Sequence, residues 1–325
     1  MSTNCIKEIG GYLEMEAFRG EEFYPELYKL NLARTAFVWI LQHTRHRKVF
    51  LPEYICETVI ESAEKAGFEL VTYKIDEKLR PVWGAEGAPC PDDILYVVNY
   101  YGQLTADDIR GYRDTYGRVI VDNAQAFYER PEEGVYTIYS LRKFFGVADG
   151  AYVAGDIGAS PEELPYDRTG DRVRYLTGRL EGSANEFYTE SKAAEAGFSK
   201  ETPKRMSLFT QNMTSGIDYE EVKLKRRSNY ETLDTVLESR NPFTMRVPEC
   251  PYVYPYWHED GIRLRKYLIA NKIYIPILWE KFLDDKYKGG LEYDWSANIL
   301  CLPVDQRYDE YDMYTIADVI KSFGK

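Results

Sequence analysis

Ile94-Leu-Tyr-Val-Val-Asn99 and Arg118-Val-Ile-Val-Asp122-Asn-Ala-Gln125 are two short apolar runs, and between them Asp107–Tyr116 has the length and polarity of a surface helix. Neither run alternates apolar with polar residues. An unbroken apolar strand is one covered on both faces, as in the interior of a parallel sheet. Strand, helix and strand in that order predict a parallel βαβ unit. Ligands of such sheets gather beyond the carboxyl ends of the strands. Asn99, Tyr100 and Asp122 stand at two of those ends.

The same alternation extends toward the N-terminus. Residues 29–42 carry apolar residues at helical spacing after Asn31. A strand is expected at 48–51, stopped by Pro52. A helix is expected at 55–66, closed by Gly67, and a further strand at Phe68–Tyr73. Residues 10–17 alternate weakly and read as an edge strand. Past residue 150 the pattern changes. Residues 155–175 read as loop, 178–200 and 217–239 as charged helices, 243–247 and 252–256 as short strands. A helix at 260–271, a strand at 298–302 and a helix at 311–322 follow. The expected architecture is α/β: a mostly parallel central sheet flanked by helices in residues 1–215, and a smaller α+β C-terminal domain in residues 216–325.

At 325 residues, 44% apolar and 29% charged, the chain has an ordinary globular balance with room for two cores. Its net charge of −12 disfavours binding along a nucleic-acid backbone, which calls for a basic stripe. The one basic cluster, Lys223-Leu-Lys-Arg-Arg227, reads as a solvated helix face. The five cysteines (Cys5, Cys56, Cys90, Cys250, Cys301) are widely spaced and contain no CxxC pair, which argues against a zinc site and fits reduced thiols in a cytosol. With three histidines, neither a histidine triad nor a multi-histidine metal site is expected. The first eight residues hold no apolar signal-peptide core, and no stretch is long enough to span a bilayer. A cytoplasmic chain without membrane or nucleic-acid partners is therefore expected.

Residues 139–150 read Tyr-Ser-Leu-Arg-Lys-Phe-Phe-Gly-Val-Ala-Asp-Gly. An isolated Asp122 would merely cap a turn, and an isolated Lys143 would be a surface residue with a buried stem. Together they suit one cofactor, pyridoxal 5'-phosphate. A strand-end carboxylate keeps the pyridine nitrogen protonated, so that the ring serves as an electron sink. A lysine in a partly desolvated place reaches the aldehyde with a neutral amine and forms the Schiff base.

On these residues the chain resembles the DegT/DnrJ/StrS family of sugar aminotransferases, enzymes of the aspartate-aminotransferase fold (fold type I). Other stretches fall in the family's order. They are Arg34-Thr35-Ala36 at a helix start, Leu51-Pro52-Glu53-Tyr54-Ile55-Cys56 after a strand, Asp122-Asn-Ala-Gln125, and Lys143 followed by Asp149-Gly150. Arg205-Met206-Ser207 and Arg226-Arg-Ser-Asn-Tyr230 complete the series. Three departures stand out. Ser140 precedes the lysine by three residues, where the family has five. The ring-stacking position falls at Cys56, with Tyr54 as the aromatic alternative. Pro203 and Lys204 replace a family asparagine that reaches the neighbouring subunit's phosphate.

The resemblance implies roles. Lys143 is the catalytic lysine and moves a proton as general acid and base. Asp122 pairs with the ring nitrogen and Gln125 with the ring hydroxyl oxygen. Arg34, Thr35, Ala36 and Ser140 hold the phosphate, and Tyr54 or Cys56 covers the ring. Asn99, Tyr101, Lys204 and Arg205 face the substrate, while Arg226 and Tyr230 hold the long helix. It also implies a homodimer, an amino acid such as glutamate as donor, and a keto-sugar, nucleotide-linked, as acceptor in polysaccharide or secondary-metabolite synthesis. Competing readings are a pyridoxal-phosphate enzyme acting on another small keto or amino compound, a sugar-nucleotide binder without turnover, and an α/β domain without the cofactor.

Overall fold

A computed structural model of the protein describes residues 9–324. Eight strands form the main sheet: β1 (Tyr28–Leu30), β2 (Val49–Pro52), β3 (Leu70–Ile75), β4 (Pro81–Val82), β5 (Ile94–Val98), β6 (Arg118–Asp122), β7 (Tyr136–Ser140) and β8 (Ala151–Ala154). Their spatial order is β1-β8-β7-β6-β5-β2-β3-β4. Strands β3, β2, β5, β6 and β7 pair in parallel, while β8 and β4 run against their neighbours. All five residues of β5 are buried, as its unbroken apolar run requires.

Helix α1 (Ala33–His43) packs on β7 and β8, and α2 (Glu57–Lys65) connects β2 to β3. Helix α3 (Ala106–Tyr116) connects β5 to β6 and opens with a capping box, in which Thr105 and Asp108 satisfy each other's backbone N–H. The β2–α2–β3 and β5–α3–β6 crossovers carry the chain outward in opposite directions from the adjacent pair β2 and β5. That pair is the topological switch point, where the carboxyl ends open a crevice. In the register, Asp122 pairs with Val98 on one side and Ile138 on the other, deep within the sheet.

Beyond β8 come α4 (Arg174–Glu181), α5 (Tyr188–Gly197), α6 (Leu208–Thr214) and the long α7 (Tyr219–Leu237). A two-stranded sheet of β9 (Tyr254–Trp257) and β10 (Ile299–Leu302) follows, with α8 (Gly261–Ala270), α9 (Leu291–Asn298) and α10 (Glu310–Ser322) around it. Leu233, Leu237, Leu264, Leu300, Met313 and Ala317 centre a second core there. Helix α7 spans both cores: Tyr219 and Val222 pack with Phe127 and Phe145, whereas Tyr230, Leu233 and Leu237 pack with α10 and β9. Each large apolar side chain so buried contributes about 1.5–3 kcal/mol.

Several expectations need correction. Residues 10–17 form no strand and lie exposed, with no neighbouring strand to pair with. The helix expected over 178–200 is two helices, because Gly182 ends α4 in an extended conformation. Residues 243–247 form no strand. Within the basic cluster Arg226 is buried, so the stretch is not uniformly a solvated face. Cys56, Cys90, Cys250 and Cys301 are free thiols, and Cys5 lies outside the described residues. Among the described residues no helix is long and apolar enough to cross a membrane, and no group of three or more His, Cys, Asp or Glu side chains could hold a metal ion.

Candidate functional site

Asp122 closes β6 with its side chain buried. Its Oδ2 accepts a hydrogen bond from the Tyr96 hydroxyl at 2.8 Å, and its Oδ1 accepts from the Ala124 N–H at 2.8 Å. Burial pushes its pKa up; the Ala124 and Tyr96 bonds and the charge of Lys143 pull it back in part. Lys143 ends the turn Leu141–Lys143 that follows β7. Its side chain is exposed. Its Nζ lies 5.8 Å from the centre of the Tyr252 ring. Asp122 ends β6 and Lys143 follows the end of the neighbouring parallel strand β7, so both stand at the carboxyl edge of the sheet, with no ion pair between them.

The amine does not match the expectation of a neutral lysine. The Tyr252 hydroxyl pushes its pKa up and outweighs the lowering by burial, with Cys56 and Glu195 adding to the rise and Arg142 opposing it. Lys143 is therefore cationic in the free protein. Tyr252 itself is held from behind by Arg226, which donates to the carbonyls of Pro251 (3.2 Å), Tyr252 (3.0 Å) and Phe144 (3.1 Å), and to Gln306 Oε1 (2.9 Å). Arg226 thus fixes both flanks of the lysine, and its structural assignment extends to the cleft.

The helix start behaves differently from expectation in detail. The Thr35 hydroxyl is spent on Asn31 Oδ1 (2.6 Å) and the Leu32 carbonyl (2.9 Å), and the Ala36 N–H on the Leu32 carbonyl (2.8 Å). Neither is free for a phosphate. The N–H groups of Ala33, Arg34 and Thr35 have no acceptor among the described residues, and Leu32 provides no side-chain cap. Helix starts of this kind attract anions. Ser140 follows Ile138 by two residues and stands on the sheet face that α1 covers, with no hydrogen-bond partner for its hydroxyl among the described residues.

Arg34 and Arg142 add charge to this corner. Arg142 Nη2 lies 3.3 Å from Glu195 Oε2, and Arg34 Nη2 lies 4.0 Å from Glu195 Oε1. Burial pulls the Arg34 pKa down. The Arg142 Nε is buried with no hydrogen-bond partner. A buried orphan donor costs about 1–3 kcal/mol, and an anion beside it would satisfy it. Two arginines, three free N–H groups, a free hydroxyl and an accessible lysine fit a phosphorylated aldehyde with a basic ring nitrogen that reaches Asp122.

The remaining predicted residues divide. Cys56 stands at the N-cap position of α2 without a side-chain capping bond, and its Sγ lies 3.1 Å from Thr58 Oγ1. Tyr54 does not cover the ring position: it is buried against Trp279, Phe282 and Trp295 and donates to the Leu278 carbonyl at 3.0 Å. Asn99 is fully buried and structural, donating to Asn123 Oδ1 and accepting from the Leu104 N–H. Gln125 Oε1 accepts from the Tyr101 N–H at 3.0 Å, leaving its amide nitrogen without an acceptor among the described residues. Tyr101 is buried with φ +53° and lies against Cys301, so it does not line an open substrate face. Lys204 is bound to Asp167 and Glu201, and Arg205 stacks on Tyr166 at 3.8 Å. Both sit beside the end of β1, where Arg205 bridges Leu30 and the Lys204 carbonyl accepts from the Asn31 N–H. Tyr96, Arg142, Glu195 and Tyr252 were not anticipated. For Arg142 its place beside the lysine was a signal; the others meet the site only through the fold.

No family model matches the chain, and no curated protein matches it in sequence. Solved structures do match. A DegT/DnrJ/EryC1/StrS aminotransferase from Brucella abortus superposes with a TM-score of 0.60 at 16% identity, over 92% of this chain and 86% of that one. Sugar aminotransferase CalS13 from Micromonospora echinospora gives 0.63 at 16%, over 92% and 88%. Helicobacter pylori PseC, an aminotransferase of pseudoaminic acid biosynthesis, gives 0.59 at 12%, over 90% and 85%. A putative sugar aminotransferase from Streptococcus pneumoniae matches in both its PLP and its PMP forms. With its antiparallel β8 and its crevice at the β2–β5 junction, the chain has the fold of these aminotransferases.

Proposed function

We propose that the protein is a pyridoxal-phosphate-dependent aminotransferase that moves an amino group from an amino acid to a keto-sugar. What supports this is the place of Asp122 at the end of β6 and of Lys143 just beyond the end of the neighbouring parallel β7, in a chain with the fold of sugar aminotransferases. The bound cofactor would supply an electron sink for the carbanion formed when a proton leaves the amino donor's α-carbon. Asp122 holds a negative charge for the ring nitrogen, and Tyr96 orients that carboxylate. Lys143 carries the proton between the donor carbon and the cofactor. Gln125 presents its amide nitrogen, Cys56 borders the ring space, and the α1 start with Ser140, Arg34 and Arg142 takes the phosphate.

The sugar acceptor, its nucleotide link, glutamate as donor, a homodimer and a cytoplasmic setting belong to the same proposal; they rest on the matched aminotransferases and on the family resemblance. The test is a two-stage assay. Protein loaded with pyridoxal phosphate should lose its yellow colour with glutamate, and recover it when a nucleotide-linked keto-sugar is added and aminated. Colour that no amino acid discharges would refute transamination and leave a binding protein.

A further inference from the structure

Helix α5 contributes no buried residue to the protein. It touches α4 and runs into the turn at Phe198–Lys200, whose Phe198 is buried, and its Glu195 reaches Arg34 and Arg142. Segments with so little buried contact open at low free-energy cost. The one carboxylate on its inner side reaches over the corner where the α1 start, Arg34 and Arg142 converge. Glu195 is half exposed, and burial pushes its pKa up while Arg142, Lys143 and Arg34 more than offset this and keep it ionised. One carboxylate thus answers three cations, and it does so incompletely: its contact to Arg34 is 4.0 Å and the Arg142 Nε stays unpaired. The Arg142 guanidinium also stacks on the ring of Phe198, the C-cap of α5, 4.0 Å away.

We propose that Glu195 is a stand-in anion. It occupies the Arg34–Arg142 clamp while no phosphate is present, and it yields the clamp to a phosphate monoester, which releases α5. Arg142 is then a phosphate-binding residue in its own right. A dianion with three acceptor oxygens suits two guanidinium forks and the open N–H groups better than one carboxylate does. The inference rests on the proposed function only for the identity of the monoester; the clamp and its stand-in do not depend on amine transfer.

The probe is inorganic phosphate, titrated by calorimetry into the whole protein freed of cofactor. Glu195→Gln removes the competitor at a half-exposed position on a helix without buried residues. It should bind phosphate about tenfold more tightly than the unaltered protein, the worth of one charge-assisted pair. Arg142→Gln should bind about tenfold more weakly or worse. Hydrogen exchange supplies a readout that needs no variant: amides of 188–197 should exchange faster once phosphate is added. Equal or weaker phosphate binding by Glu195→Gln overturns the proposal, as does unchanged or slower exchange in α5. Absence of phosphate binding to the unaltered protein overturns it too. Protein that captures pyridoxal phosphate on Lys143 while Glu195→Gln binds phosphate unchanged refutes the stand-in and leaves the enzyme. Phosphate binding with the predicted changes, but no capture of the aldehyde, refutes the enzyme and leaves the clamp.

Discussion

At the scale of single residues, the site is a set of charges placed against their solvation preference. Asp122 is the sharpest case, since burial raises its pKa in the free protein. A carboxyl group raised in the folded state favours folding below its unfolded pKa, and that contribution is lost as pH rises through the folded value. The ionised form of Asp122 is therefore the one that burial disfavours in the folded free protein. Asp122→Asn should raise the thermal midpoint of the cofactor-free protein at pH 7, and the difference should shrink as pH falls toward 4. The same variant should lose about 10²–10³-fold in amine transfer, the range for a charge that acts in the transition state. Lys143 offers a second test through Tyr252, the largest influence raising its pKa. Capture of pyridoxal phosphate needs the neutral amine and should accelerate as pH rises from 7. Tyr252→Phe should shift that rise to lower pH, as followed by the rate of colour formation in stopped flow. At this scale Asp122 was legible because it ends an apolar run, and Lys143 because of the motif stretch and the resemblance that it carries. Tyr96 and Glu195 were not, because nothing local marks a phenol on the neighbouring strand or a carboxylate on a surface helix.

At the scale of elements, two joints hold the cleft in shape. In the first, the Asp149-Gly150 turn meets the start of α6. Buried Asp149 accepts from the Ser207 N–H (2.8 Å) and hydroxyl (2.7 Å) and from the Thr210 hydroxyl. Gly150 sits at φ +118°, where an added Cβ would come within 3.1 Å of Thr210 and 3.2 Å of Leu141. Gly150→Ala should cost about 1–3 kcal/mol, read from urea midpoints. The second joint is Arg226, whose removal leaves the Pro251 and Tyr252 carbonyls without their donor, while the Phe144 carbonyl keeps Gln306 Nε2. Arg226→Met should cost about 3 kcal/mol and also disturb the pH profile of cofactor capture, because Tyr252 loses its support. The sequence announced β2, β5 and β6 through short apolar runs, and β3 as the strand that follows the helix closed by Gly67. It hid β7, whose Tyr-Thr-Ile-Tyr-Ser mixes hydroxyls into a buried strand, and β8, whose four residues are too few for a period. The Asp-Gly and Arg-Met-Ser motifs were visible as separate stretches, and their contact through Asp149 emerged only from the fold.

At the scale of the whole molecule, the parallel order of β3, β2, β5, β6 and β7 brings the ends of β2, β5, β6 and β7 to one edge of the crevice. That convergence, more than any single motif, assembles Cys56, Asp122 and Lys143 in one place. A division into residues 1–215 and 216–325 is our proposal, with α7 as the shared strut, since its first turns pack beside Lys143 and its last turns in the second core. The α/β class and the second core were readable from alternation and spacing. The extent of the second unit's sheet was not: segment 243–247 looked like a strand, but Phe243 and Met245 instead pack onto the large core as an extended tie. The account stands or falls on whether the Asp122–Lys143 cleft holds the cofactor. Borohydride reduction of protein mixed with pyridoxal phosphate, followed by peptide mapping, tests this most directly. The account predicts a single pyridoxyl-phosphate adduct on the peptide that contains Lys143, and its loss in Lys143→Ala. An adduct spread over surface lysines, or one that persists undiminished in Lys143→Ala, would contradict it.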